Sequence, residues 1–121
     1  MKKIPDSELE IMLVIWEAER SVTSDYILER VDRDWTKTTL LNLLSRLGAR
    51  GFVSCEKEGR HNVYTPLVDR DEYLQSESRS FLERMYHNSL TKMVASLYSG
   101  QSVTKEDLKE LKKFIEGAEN D

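Results

Sequence analysis

Counting about 100° per residue from Thr36 to Arg50, Thr38, Asn42, Ser45 and Ala49 fall on one side of a helix, with Leu40, Leu43, Leu44 and Leu47 opposite. Leu41 and Arg46 lie on the shoulders. Hydroxyl and amide groups on so small a face can approach and hydrogen-bond base edges. A guanidinium such as that of Arg46 can take a phosphate or a guanine, and Leu41 can touch a thymine methyl. Catalysis finds no comparable constellation. His61 and His87 are far apart and lack a carboxylate or thiol set at ligand spacing, and no nucleophile is paired with a base. Cys55 is the single cysteine, so the chain forms no internal disulfide and no thiolate zinc cluster. Within a short strand it reads as a small buried or half-buried apolar group. Neither enzymatic activity nor a metal or cofactor is expected.

Charge follows the same segment. The net charge of −4 is made of −4 over residues 1–34, +3 over residues 35–68 and −3 over residues 69–121. The positive stretch carries Lys37, Arg46, Arg50, Lys57 and Arg60 against Glu56 and Glu58. A local basic surface can hold phosphates while acidic neighbours suppress indiscriminate binding, because these contacts are short-ranged and screened by salt. No apolar run reaches the roughly 18 residues of a membrane span, and the N-terminus lacks a signal-peptide core, so a soluble cytoplasmic protein without membrane insertion is expected.

Several elements must position this face. A first helix starts at Asp6 or Ser7 as N-cap, buries Leu9, Met12, Leu13 and Trp16 with Ile11 and Ile15 widening the stripe, and ends near Glu19. Thr23 caps a second helix to about Asp32, and Thr36 caps the third, which Gly51 terminates. Residues 52–57 and 60–65 read as two short strands around Glu58-Gly59, with Tyr64 packed in the core and Pro66 ending the second. Arg60 lies at the hairpin tip, within reach of phosphate. From Asp69 a long helix is followed by a second amphipathic stretch, a break near Gly100 and a last helix opened by Thr104 and Asp107 as a capping box.

The order of helix, helix, helix and hairpin predicts a mainly α fold with a small β-hairpin wing, a winged helix-turn-helix over residues 1–68. Residues 69–121 form a helical region too amphipathic to close a core alone, which predicts a homodimer. Its expected contact residues are Tyr73, Leu74, Phe81, Leu82, Met85, Leu90, Met93, Val94, Leu97, Leu108, Leu111 and Ile115. Two-fold symmetry in turn demands a roughly palindromic operator on double-stranded DNA.

The run from Asp6 to Trp16, Trp35-Thr36-Lys37-Thr38-Thr39 with Leu44 and Arg46-Leu47, Glu58-Gly59-Arg60 and Val63-Tyr64-Thr65-Pro66 together resemble the penicillinase-repressor (BlaI/MecI) family. The tail stretches Ser80-Phe81-Leu82, Ser89-Leu90 and Met93-Val94 resemble its dimerisation region, so the likeness spans almost the whole chain. The resemblance implies a dimeric winged-helix repressor that blocks transcription, typically of β-lactam resistance genes, until a membrane sensor protease relays a signal. The helix face and the resemblance together make Thr36, Lys37, Thr38, Thr39, Leu41, Asn42, Ser45, Arg46, Arg50 and Arg60 the expected DNA-binding set. The chain departs from the family at Thr38, where a lysine is usual, and at Leu41, where a polar residue is common. The family's regulatory cleavage falls at an Asn-Phe bond, and the matching pair here is Ser96-Leu97. Copper-responsive relatives carry paired cysteines near the C-terminus, and this tail has none.

Two other readings fit the residues. A ligand- or metal-responsive winged-helix regulator would bind its effector in the dimer region, where Tyr73, Phe81, Tyr86 and Tyr98 could line a pocket. A winged-helix protein-interaction module that never touches DNA would suit the acidic total charge.

Overall fold

A computed structural model describes all 121 residues, which divide into two compact units, Met1–Ser76 and Glu77–Asp121. The first contains α1 (Asp6–Ala18), β1 (Val22–Thr23), α2 (Ser24–Arg30), α3 (Lys37–Ala49), β2 (Val53–Glu58), β3 (His61–Pro66) and the start of α4 (Arg70–Tyr86). The rest of α4, α5 (Leu90–Ser99) and α6 (Lys105–Glu119) form the second. The mainly α architecture with a small antiparallel sheet is the winged helix expected from the sequence.

In the first unit, α1 packs on α2 and α3 through Ile11, Met12, Ile15 and Trp16, all buried. The buried stripe is rotated from the expected one. Leu13 is 38% exposed, while Ile4 and Glu8 join the interior. The start also differs, because Pro5 is the N-cap and no side chain caps the helix. Its fixed φ of −58° holds the extended entry, and its carbonyl accepts from the Leu9 N–H at 2.8 Å. At the other end Glu19 takes a left-handed φ of 55°, with its N–H bonded to the Trp16 carbonyl.

Thr23 caps α2 and Thr36 caps α3, each accepting a hydrogen bond at 3.2 Å, from the Tyr26 and Thr39 amides respectively. α2 closes earlier than expected, at Arg30, because Val31 is already extended while it remains buried. The turn into α3 is tied to α1 by Arg33, whose Nε donates to Glu10 at 2.8 Å. That hydrogen bond, reinforced by the carboxylate's charge, raises the guanidinium's pKa above its ordinary value. Leu40, Leu43, Leu44 and Leu47 fix α3 to the core. The helix stops in a Schellman arrangement, in which the Gly51 N–H reaches the Gly48 carbonyl and the Phe52 N–H reaches that of Leu47. Gly51 has the left-handed φ of 84° that this stop needs.

The sheet runs β1-β3-β2, all antiparallel, with Cys55 opposite Tyr64 and Glu58 opposite His61. The strands lie one residue later than expected, and the turn is Gly59-Arg60. Gly59 adopts φ 65° in the first turn position, the place a left-handed residue takes in a two-residue hairpin, so Glu58 remains in the ladder. Strand β1 leaves no signal in the sequence, since two residues carry no periodicity.

Tyr73 corrects an expectation. Grouped with the dimer stripe, it is 2% exposed in the core of the first unit. Its hydroxyl accepts the Ile4 N–H at 2.8 Å, and its ring lies 5.8 Å from Trp16 and edge-on to Phe52 at 6.4 Å. Trp16 in turn donates its indole N–H to the Val68 carbonyl at 2.9 Å. In the second unit no residue is buried. There α6 opens with a complete Thr104–Asp107 capping box, and α5 stops through Gln101, at φ 64°, one residue beyond the expected Gly100.

Candidate nucleic-acid interface

α3 presents Thr38, Asn42 and Ser45 as an exposed row, with no hydrogen bond from these side chains to the rest of the chain. Their donors and acceptors are therefore available to a ligand. Leu41, 37% exposed, sits within the same surface. Thr36 and Thr39 are also exposed but partly engaged, since the Thr36 hydroxyl donates to that of Thr39 at 3.1 Å. Of the expected dimer residues, Phe81, Leu82, Met85, Leu90, Met93, Val94, Leu97, Leu108, Leu111 and Ile115 lie in the second unit, and Tyr73 and Leu74 in the first.

The basic groups divide by what they touch. Arg46 on α3, Lys57 on β2 and Arg60 at the hairpin tip are exposed and in no ion pair. Lys37 pairs with Asp25 at 3.2 Å across α2 and α3, but both side chains are more than half exposed, so a phosphate can displace the carboxylate cheaply. Arg50 is different. It donates from Nη1 to the buried Glu8 at 2.8 Å, so one of its donors is anchored to the core while the side chain itself remains 38% exposed. Lys57, outside the expected set, shares the face of Val53 by alternation but is exposed, because β2 has run past the core by that point and both its faces meet solvent.

Other sequence-marked residues fall elsewhere. Cys55 is exposed rather than half-buried, because β2 is buried only at Val53, its core end. Tyr64 is in the core, where burial first and the Cys55 side chain second push its hydroxyl pKa up to about 12. Tyr26 lies beneath the Arg30 guanidinium at 3.5 Å, with Arg20 at 5.0 Å. No group of three His, Cys, Asp or Glu side chains is placed to hold a metal ion, and no helix is long and apolar enough to cross a membrane. Ser96 is exposed and Leu97 half-buried, both within the last turns of α5.

Comparison with known proteins places these features. Residues 4–117 match the profile of the family described as "Penicillinase repressor". The penicillinase repressor of Bacillus licheniformis is 35% identical over 125 aligned positions, covering 99% of this chain and 97% of that protein. The methicillin resistance regulatory protein MecI of Mammaliicoccus sciuri is 24% identical, covering 93% of each chain. Among solved structures, the Bacillus licheniformis BlaI monomer in complex with the blaP half-operator aligns with 34% identity and a TM-score of 0.51. The alignment covers 60% of this chain and 89% of that one.

Proposed function

The chain belongs to the penicillinase repressor family, whose members are transcriptional repressors and not enzymes. From that premise we propose that two copies bind a palindromic operator in the cytoplasm and silence genes of the β-lactam resistance class. The carrying observation is the α3 surface, where Thr38, Asn42 and Ser45 have no partner in the chain beside an unpaired Arg46. Thr36, Lys37, Thr39 and Leu41 line the same approach. Arg46, Lys57 and Arg60 supply cations for the sugar-phosphate backbone, which fixes register while the α3 face reads bases.

The second copy is argued from the tail. Leu74, Phe81, Met85, Leu90, Phe114 and Ile115 are all exposed in a single chain, and apolar stripes of this kind call for a partner surface. A second identical tail covers them and places two α3 helices one or more DNA turns apart. Relief by a membrane sensor protease would act at Ser96-Leu97. Because α5 is only ten residues long and none is buried, local unwinding into the extended form a protease needs costs little.

Selection from random-sequence duplexes with the full-length protein at moderate salt tests the proposal. An enriched inverted repeat is the expected outcome. Absence of any enriched sequence refutes operator binding, and an asymmetric site refutes the dimer.

A further inference from the structure

Glu8 is the one charged residue buried in the structure, at 2% exposure, and its Oε1 accepts from Arg50 across 42 positions of chain. An ion pair whose carboxylate is buried while its guanidinium is 38% exposed is a weak device for stability alone, since desolvation of the carboxylate offsets much of the attraction. Its placement carries more information. Glu8 lies in the first turn of α1, where the helix dipole suits an anion, and Arg50 closes the C-terminus of α3, where it suits a cation. The four leucines that hold α3 supply adhesion without direction, because aliphatic contacts accommodate small rotations and slides. A charge-assisted hydrogen bond of 2.8 Å constrains both length and angle. It acts on an end already stopped by Gly51, so the constraint reaches the whole helix.

We infer that the Glu8–Arg50 pair is a positioning device that sets the rotation of α3 about its own axis. Arg50 then acts on recognition through Glu8, not by touching phosphate. The consequence follows from helix dimensions, since a rotation of about 10° moves atoms at a radius of about 5 Å by roughly 1 Å. A shift of that size misaligns Thr38, Asn42 and Ser45 with base edges, where tolerance is about 0.5 Å. This inference rests on the DNA-binding reading of α3.

The test uses the full-length protein and two labelled duplexes, the one recovered by selection and a scrambled duplex of equal length and composition. Glu8→Gln, Arg50→Ala and the double variant are compared with wild type. Each single variant is expected to lower the preference for the selected duplex at least tenfold, and the double variant no further. The slope of log affinity against log salt stays at the wild-type value, because no phosphate contact has been removed. Glu8→Gln is decisive, since deleting a negative charge can only strengthen simple attraction to a polyanion, while it removes the charge assistance that makes the bond short and directional and keeps the side-chain volume should Arg50→Ala fail to fold. A loss of folded protein alone lowers binding to both duplexes equally and leaves their ratio unchanged. An unchanged ratio in Glu8→Gln overturns the inference. So does an Arg50→Ala slope reduced by about one ion. Wild-type preference for the selected duplex reports separately on DNA binding, so the two failures are distinguishable.

Discussion

Tyr73→Phe removes one oxygen and leaves the ring against Trp16 and Phe52. The lost oxygen accepts the Ile4 N–H at 2.8 Å, and Ile4 and Tyr73 are 0% and 2% exposed, so water cannot replace it. An unsatisfied buried donor costs about 1–3 kcal/mol. In a 76-residue unit about 1 kcal/mol corresponds to roughly 4–8 °C of Tm, so a fall on the order of 10 °C is expected. Thermal melts of the full chain followed by circular dichroism, repeated over a wide range of protein concentration, provide the assay. Because the bond lies inside one chain, the shift is the same at every concentration, whereas a lost dimer contact appears only on dilution. An unchanged Tm, or a shift confined to dilute samples, would refute the placement of Tyr73 in the winged-helix core.

Replacing each operator thymine by deoxyuridine deletes one methyl. At the half-site position facing Leu41 this weakens wild type by about 1 kcal/mol and leaves Leu41→Ala unaffected, as competition binding will report. Glu19→Gly relieves a left-handed φ of 55° and removes a negative charge from the C-terminus of α1. It is expected to raise stability to urea by about 1 kcal/mol. Tyr64 ionises at about 12 in the fold against an ordinary 10, so its contribution is complete below pH 10 and is lost as pH rises through 12. Ultraviolet titration of phenolate will show that step vanish in Tyr64→Phe. Phe114→Asp places a charge on a stripe where Phe114 is 71% exposed, and sedimentation should show self-association weakened at least tenfold with the first unit's melt unchanged.

The leucine stripe of α3, its Thr36 cap, its Gly51 stop and the capping box of α6 were legible because each is a local rule acting within a few residues. What escaped depends on partners distant in the chain. Glu8 reads as an ordinary first-turn carboxylate until Arg50, 42 residues away, is brought beside it. Tyr73 shares helical spacing with the tail stripe, and only the fold reveals that the Ile4 amide claims it. Cys55 is apolar enough for a core, yet its place beyond Val53 on a projecting hairpin leaves it exposed. Within the candidate site, the polar row could be read directly, but which cations remain free could not. That Arg50 is paired while Lys57 is not follows from tertiary proximity and not from composition.

The central claim is that two chains together grip one duplex through the outer face of α3. Sedimentation equilibrium of the full-length protein with the selected duplex tests it most directly. A complex with the mass of two chains per duplex, abolished when Thr38, Asn42 and Ser45 are all replaced by alanine, is the predicted result. A complex of one chain per duplex, or an undiminished complex with the alanine variant, would contradict it.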